Sequence, residues 1–210
     1  MVKTRLSSLS DTHDVSGIIL AGGKSARLGQ NKALVDAAGL PLIQRVVQRL
    51  RLVVDEIVLV TNRPDEFAFL GLPMTSDVYR GVGTLGGLHA GLAAMGGEYG
   101  LAVGCDMPLL NINLLRHIIS LRRGYDIVMP QVGEYLEPLH ALYSKRCLPG
   151  IERAIEAGQR RMLSACDGMR VRYVQDDEIA SHDPQHLSFF NVNSTQDLDE
   201  IKNLLSLEDS

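Results

Sequence analysis

Short apolar runs rich in β-branched residues alternate along the chain with longer amphipathic stretches. The runs predict buried strands and the stretches predict helices, because their lengths and periodicities match those elements. The predicted strands are VSGIILA (15–21), EIVLVT (56–61), YGLAVGCD (99–106), YDIVMP (125–130), RVRYV (170–174) and LSFFNV (187–192). The predicted helices are LPLIQRVVQRLRLV (40–53), the short DEFAFLG, GVGTLGGLHAGLAAM (81–95), NINLLRHIISLRR (111–123), a segment around 145–157 and a last helix after Ser194.

Strands separated by helical lengths predict β-α-β crossovers. We therefore expect a three-layer α/β/α Rossmann-like fold with a mainly parallel sheet covered on both faces. Ligands of such folds bind beyond the carboxyl ends of the strands, where the strand order reverses. Four polar or glycine-containing features follow predicted strands and should line that edge: residues 22–32, Thr61-Asn62-Arg63, Asp77 and Cys105-Asp106.

Two signals predict where helices begin. Asn111 is an N-cap candidate, and Ser194-x-x-Asp197 resembles a capping box. No repeat, low-complexity tract or linker divides the chain, so residues 15–210 are predicted to form one domain. Residues 1–14 are polar and are expected to form a flexible tail.

Composition narrows the classes of partner. The 210 residues are 45% hydrophobic and 22% charged, as in ordinary globular proteins, and the net charge is −4. An acidic balance excludes a general affinity for nucleic acid or anionic membranes. Three widely spaced cysteines favour neither a disulfide framework nor a zinc site. No run approaches a membrane span of about 18 apolar residues, and we expect a reduced, cytoplasmic setting.

The stretch LAGGKSARLGQNKAL (20–34) is typical of a phosphate-binding loop. It is not a Walker loop, because Gln30 and Asn31 separate its closing glycine from Lys32, and G-x-G-x-x-G is absent from it. Glycines let backbone N–H groups approach an anion, whereas arginine and lysine side chains supply charge. A glycine pair alone is equally typical of a tight turn. The combination of Gly22, Gly23, Arg27 and Lys32 predicts a polyphosphate site.

The loop resembles the signature L-[AG]-[AG]-G-x-S-x-R-[ML]-G-x-x-K of nucleotidyltransferases. Four further segments resemble, in the same order, those of the MobA family of molybdenum cofactor guanylyltransferases: GVGTLGGLHAGL, VGCDMPLL, EPLHALY (137–143) and FFNVNSTQDL (189–198). The resemblance spans nearly the whole chain. It identifies residues 15–210 as a nucleotidyltransferase domain of this family.

The family's reaction follows from the resemblance. It implies that GMP passes from GTP to the terminal phosphate of molybdopterin, with Mg²⁺ as cofactor and release of pyrophosphate. It also implies transient contacts with other molybdenum cofactor proteins. The expected catalytic residues are Lys32, Arg27 and Asp106. The expected nucleotide-binding residues are Leu20, Ala21, Gly22, Gly23, Lys32, Asn62, Asp77 and Asp106. Gly83, Gly86, Gly87, Asn191 and Asn193 are expected to face the second substrate, with Gly81 shaping the adjacent loop.

Asp106 is the expected Mg²⁺ ligand because it follows an apolar strand, at the edge where ligands bind. Mg²⁺ keeps several waters and binds substrate phosphates, so one protein carboxylate can hold it. An aspartate that merely caps the turn is the alternative. No general base is required, since a phosphate nucleophile is already ionised near neutral pH. The enzyme must chiefly position two anions and neutralise their charge.

The choice of nucleotide depends on the doublet Gly22-Gly23. Relatives that use CTP tend to read L-A-A-G, whereas guanylyltransferases read L-A-G-G, which favours GTP. The alternative is a related cofactor cytidylyltransferase or another nucleotidyltransferase that uses CTP. The chain departs from the family pattern at three positions. Leu28 replaces methionine, Asn31 replaces an aspartate, and Thr84 replaces proline.

Two other classes of protein are alternatives, a nicotinamide-dependent oxidoreductase and a non-catalytic nucleotide-binding module. Gly81–Gly86 matches G-x-G-x-x-G, with Asp106 20 residues further on, as in a nicotinamide-binding protein. The polar TSDVYR precedes it instead of an apolar strand, which argues against an oxidoreductase. A nucleotide-binding module without catalysis is the second class. Retention of Arg27, Lys32 and Asp106 argues against it.

Overall fold

The structure is a computed structural model that describes residues 12–22 and 31–208. Its strands are β1 (Val15–Leu20), β2 (Asp36–Ala37), β3 (Leu40–Pro41), β4 (Glu56–Val60), β5 (Met74–Thr75), β6 (Tyr99–Gly104), β7 (Ile127–Val132), β8 (Tyr135–Leu136), β9 (His140–Ser144) and β10 (Val171–Val174). Its α-helices are α1 (Leu42–Leu50), α2 (Pro64–Phe67), α3 (Thr84–Ala94), α4 (Ile112–Ser120), α5 (Leu148–Glu156), α6 (Asp176–His182) and α7 (Thr195–Glu208).

The central sheet has the strand order β5-β4-β1-β6-β9-β7-β10, and β8 pairs with β7. β9 runs antiparallel to both β6 and β7, whereas β5, β4, β1 and β6 are mutually parallel. The expectation of a mainly parallel sheet is therefore confirmed. The chain leaves β1 for β4 and β5 on one side and returns to β6 on the other. The strand order thus reverses at β1, where Leu20 lies opposite Val60 on one side and Gly104 on the other.

Helices cover both faces of the sheet, which confirms the three-layer expectation. Side chains of β1 alternate between the faces: Ile19 belongs to the apolar cluster that includes α1, α4 and α6, while Ile18 belongs to the cluster that includes α3 and α5. A third, smaller apolar cluster joins the β2–β3 hairpin to α7. This cluster fixes the C-terminal helix beside the segment that follows residue 31.

Helix α3 packs unusually close to the sheet. A Cβ added at Gly91 of α3 would lie 2.4 Å from Ile18 Cγ2, and one at Gly100 of β6 would lie 2.4 Å from Ile18 Cδ1. Glycine is favoured at both positions because the Ile18 side chain leaves no room there for a methyl group. The close approach sets the position of the first turn of α3 at the ligand-binding edge.

Both predicted helix starts are confirmed. Asn111 accepts hydrogen bonds from the N–H groups of Asn113 and Leu114. Ser194 and Asp197 form a reciprocal capping box: Asp197 N–H donates to Ser194 Oγ at 3.1 Å, and Ser194 N–H donates to Asp197 Oδ2 at 2.8 Å. The predicted helix 40–53 is shorter than expected, since Leu40 and Pro41 belong to β3 and α1 begins at Leu42.

The strand predicted over residues 187–192 is wrong. Residues 187–189 form a 3-10 turn, because the buried Asp183 carboxylate takes their N–H groups out of any sheet ladder. Leu187 N–H donates to Asp183 Oδ1 at 3.3 Å, and Ser188 N–H donates to Asp183 Oδ2 at 2.9 Å. Helix α6, which the sequence reasoning did not predict, supplies this carboxylate just beyond its last turn.

Candidate active site

An ion pair joins the phosphate-loop region to the end of β6. Lys32 Nζ lies 2.6 Å from Asp106 Oδ2, and the two side chains are only 14% and 21% exposed. Lys32 begins a 3-10 turn that Asn31 caps, and Asp106 follows β6 by two residues. Partial removal from water strengthens the attraction between the two charges. Because Asp106 follows the end of β6, the ion pair lies at the carboxyl edge of the sheet, beside the reversal of strand order.

Asn193 completes this group from the far end of the chain. Its Oδ1 accepts a hydrogen bond from Lys32 Nζ at 2.7 Å, and its Nδ2 donates to the carbonyl of Asn191 at 3.3 Å. Val192 N–H donates to the carbonyl of Asp106 at 3.0 Å, which ties the segment to the end of β6. One ammonium group thus contacts a carboxylate and an amide from two motifs.

Asp197 fixes the backbone of Asn193. The N–H of Asn193 donates to Asp197 Oδ2 at 2.7 Å, and this bond, together with those from Ser194, lowers the pKa of Asp197. The sequence reasoning treated Asp197 only as a helix cap. In the structure it also positions Asn193, so the capping box begins a helix and places an expected substrate-facing residue.

Asn31, which replaces the aspartate of the family pattern, has a structural role. Its Nδ2 donates to Glu66 Oε2 at 2.5 Å, while its Oδ1 accepts from Ala33 N–H at 3.2 Å. The bond from Asn31, followed by that from Arg63, lowers the pKa of Glu66. An amide suits this position because it donates to one partner and accepts from the other.

An open cleft of about 770 Å³ lies beyond the ends of β4 and β5. The residues that line it are Thr61, Asn62, Pro64, Met74, Thr75, Ser76, Asp77, Arg80 and Gly81. Asn62 Oδ1 accepts a hydrogen bond from Asp77 N–H at 3.3 Å, and burial raises the pKa of Asp77. Two expected nucleotide-binding residues are therefore joined in one cleft, together with Arg80, which the sequence reasoning did not include.

The first turn of α3 closes the cleft on one side. A Cβ at Gly86 would lie 2.6 Å from Asp77 Oδ1, so glycine is needed for the carboxylate to approach this turn. Gly83 precedes the helix with φ +81°, and Gly81 has φ +82°, conformations that favour glycine. Gly87 packs against β1 instead: a Cβ added there would lie 3.4 Å from Leu20 Cδ2.

The remaining expected residues differ in accessibility. The Leu20 side chain is buried in the core, Ala21 is half-buried and Gly22 is exposed. A Cβ added at Gly22 would have no atom of the described residues within 4 Å. Asn191 is half-buried, and its Nδ2 donates to the carbonyl of Phe189 at 3.0 Å. Gly23 and Arg27 lie outside the described residues, as do residues 1–11 of the expected tail.

The histidines and cysteines show no shared ligand arrangement in the described part of the chain. His117 pairs with Glu178 at 2.9 Å, and burial raises the pKa of Cys105 to about 12, in line with its packing against the core. Within residues 12–22 and 31–208, no three His, Cys, Asp or Glu side chains are grouped as metal ligands. No helix among these residues has the length and apolar character needed to cross a membrane.

A mainly parallel sheet, with polar groups gathered where its strand order reverses, defines the Rossmann-like class of α/β proteins. The chain belongs to the MobA-like NTP transferase domain family, whose profile matches residues 17–173.

Named relatives cover almost the same span. A probable molybdenum cofactor guanylyltransferase from Peptoclostridium acidaminophilum is 36% identical over 190 residues, covering 87% of this chain and 86% of the relative. A molybdenum cofactor guanylyltransferase from Desulfosudis oleivorans is 36% identical over 188 residues, covering 89% of this chain and 93% of the relative. Among solved structures, molybdopterin-guanine dinucleotide biosynthesis protein A from Archaeoglobus fulgidus is similar with a TM-score of 0.78 and 28% identity, covering 91% of this chain and 98% of that one.

Proposed function

We propose that this chain transfers GMP from GTP to the terminal phosphate of molybdopterin, forming the guanine dinucleotide cofactor and releasing pyrophosphate. The observation that carries the proposal is the position of Lys32, whose ammonium group contacts both Asp106 and Asn193. The names of the relatives point to the same reaction.

The two substrates are assigned to opposite sides of this ion pair. GTP occupies the side of Leu20, Ala21, Gly22 and Gly23, with its guanosine in the cleft that contains Asn62 and Asp77. Molybdopterin approaches Asn191 and Asn193. The expected second-substrate glycines Gly83, Gly86 and Gly87 shape the start of α3, which adjoins the Asp77 cleft. Lys32 and Asp106 lie between, where the reacting phosphates would meet, and Arg27 is proposed to bind the same phosphates.

The transfer is an in-line displacement at phosphorus. An oxygen of the molybdopterin phosphate forms a bond to the α-phosphorus of GTP, and the bond from that phosphorus to the bridging oxygen breaks. Pyrophosphate leaves with the bonding electrons. Lys32 neutralises negative charge on the phosphates, and because it is held from two sides it needs little reorganisation to do so.

The residues present fit Mg²⁺. Asp106 supplies a carboxylate whose Oδ2 is paired with Lys32, and a single such ligand suits an ion that keeps waters and binds phosphates. Asp106 is the residue that would hold it. The ion would supply additional neutralisation of the triphosphate charge.

We propose that residues 15–210 act as one nucleotidyltransferase domain in the cytoplasm, with GTP and molybdopterin as its ligands and no affinity for nucleic acid or membranes. Transient contacts with other proteins of molybdenum cofactor synthesis would deliver and remove the pterin.

The test is pyrophosphate release by the purified chain with Mg²⁺, molybdopterin and either GTP or CTP. Release with GTP is expected, and a loss of about 100-fold or more in kcat/KM is expected for Asp106→Asn and Lys32→Ala, since each removes a preorganised charge. Lys202→Ala, on α7, is the matched control for loss of one lysine. Preference for CTP would support the cytidylyltransferase instead. Binding of GTP without release would support a non-catalytic module.

A further inference from the structure

One face of α3 holds the segment that carries Asp77. Gly86 and His89 are three residues apart and therefore lie on the same face of the helix. The Asp77 carboxylate lies over Gly86, where an added Cβ would be 2.6 Å from Oδ1. Two residues further along the segment, the Tyr79 ring meets the His89 ring edge to face, with centroids 4.9 Å apart and planes at 81°. The segment 77–79 thus lies along α3.

His89 is fixed from its other side by α5. Its Nε2 lies 3.0 Å from Glu152 Oε1, and because a carboxylate only accepts, the Nε2 is assigned the proton. The His89 side chain is 10% exposed, and its Nδ1 is buried without a hydrogen-bond partner among the described residues. A ring so enclosed cannot contact a nucleotide in the cleft. His89 therefore acts on the cleft from beneath it, through its ring contact with Tyr79 and through its electrostatic interaction with Asp77.

Tyr79 connects His89 to the cleft through its backbone. Tyr79 N–H donates to Asp77 Oδ1 at 2.9 Å, and the Tyr79 carbonyl accepts from Val82 N–H at 3.2 Å. Asp77 N–H in turn donates to Asn62 Oδ1. A displacement of Tyr79 would therefore move both the Asp77 carboxylate and the turn that leads to Gly83.

We propose that His89 is a positioning residue for the nucleoside half of the nucleotide site: anchored by Glu152, it holds Tyr79 and so fixes Asp77. The inference rests on the proposed function, because it takes the Asp77 cleft as the guanosine site. It assigns a role to a histidine that is not among the expected substrate-binding residues. It also explains why a helix of small apolar residues carries a buried histidine at this position.

The test uses calorimetric binding of two probes, GTP with Mg²⁺ and pyrophosphate with Mg²⁺. His89→Ala should raise the Kd for GTP about five- to tenfold, a modest loss for a residue that acts indirectly. Its Kd for pyrophosphate should stay within twofold of the wild type, because pyrophosphate lacks the nucleoside. In turnover, KM for GTP should rise while kcat and KM for molybdopterin stay within twofold.

Two variants separate positioning from general damage. His89→Gln retains an N–H donor for Glu152 and should recover most of the GTP affinity, whereas Glu156→Gln, one turn further along α5, is the control for loss of an exposed carboxylate. Tyr79→Ala, from a half-buried site, should match His89→Ala and carries the test if that variant does not fold. The double variant should be no worse than either single one, since both break the same connection.

Several outcomes would overturn the inference. Equal weakening of GTP and pyrophosphate would show that His89 only stabilises the fold, and unchanged GTP affinity in a folded His89→Ala would show that it positions nothing. The proposed function fails separately, if the wild type binds CTP and not GTP. The same comparison made with CTP would then still decide the role of His89.

Discussion

Lys32 and Asn193 are 161 residues apart in the chain, yet Lys32 Nζ donates a hydrogen bond to Asn193 Oδ1 at 2.7 Å. Two backbone features produce this contact: Val192 is bonded to the end of β6, and Asp197 holds the Asn193 N–H. The ammonium group proposed to neutralise the GTP phosphates is therefore oriented by a residue proposed to meet molybdopterin. The proposed GTP and molybdopterin sites therefore share the ammonium group of Lys32.

Replacement of Asn193 should affect the second substrate more than the first. Asn193→Ala removes the amide that meets Lys32, and we expect transfer to fall about tenfold, equivalent to about 1.4 kcal/mol of transition-state stabilisation. Asn193 is exposed, so the unfolding midpoint should change little. Steady-state kinetics with each substrate varied in turn checks this. Asn113→Ala, at an exposed position of α4, is the control, and unchanged KM for molybdopterin would contradict the assignment.

Gly22 should govern the choice of base. Among residues 12–22 and 31–208, nothing lies within 4 Å of a Cβ added there, so Gly22→Ala should fold with unchanged stability. The added methyl group would lie beside the proposed nucleotide, where one methyl group alters the discrimination between two substrates by about tenfold or more. We expect the ratio of kcat/KM for GTP over CTP to fall by that factor, as measured by competition between the two nucleotides. An unchanged ratio would remove Gly22 from base selection.

The positions of Lys32 and Asp106 could be predicted because they depend on strand order alone. A buried strand before each motif places both at the same edge of a parallel sheet, and the structure brings them to 2.6 Å. The helix caps Asn111 and Ser194 could be predicted for a different reason. A helix cap is a local interaction, settled within three or four residues.

Contacts between distant segments could not be predicted in this way. The apolar character of residues 187–192 predicts a strand, but Asp183, just beyond the end of a helix that the periodicity did not show, accepts hydrogen bonds from Leu187 N–H and Ser188 N–H. The bond between Asn31 and Glu66 joins two loops that have no common pattern. These hydrogen bonds depend on which polar side chains lie close together in the folded chain. Hydrophobic periodicity carries no information about that.

Asp183 should be important for stability. Asp183→Ala would leave the N–H groups of Leu187 and Ser188 without their acceptor, and Ser188 is fully buried. We expect the free energy of unfolding to fall by about 2–3 kcal/mol, measured by urea denaturation. Asp183→Asn keeps one oxygen acceptor and should lose less. A loss below about 0.5 kcal/mol, typical of neutral surface changes, would contradict this account.

The stability of the edge beside β10 should depend on pH through Asp126. Asp126 Oδ2 accepts from Arg170 N–H at 3.0 Å and from Arg170 Nε at 3.2 Å, and this pairing holds the pKa of Asp126 below its ordinary value of 3.8. A depressed pKa means that the contribution is fully present above the unfolded value and is lost as the pH falls through the native one. Asp126→Asn should therefore be less stable than wild type by about 1–2 kcal/mol at pH 7, and the difference should shrink below about pH 4. Thermal unfolding of both proteins between pH 7 and pH 3 measures the difference, with Asp199→Asn as the exposed control. A difference that stays constant down to pH 3 would show that Asp126 acts through packing and not through its charge.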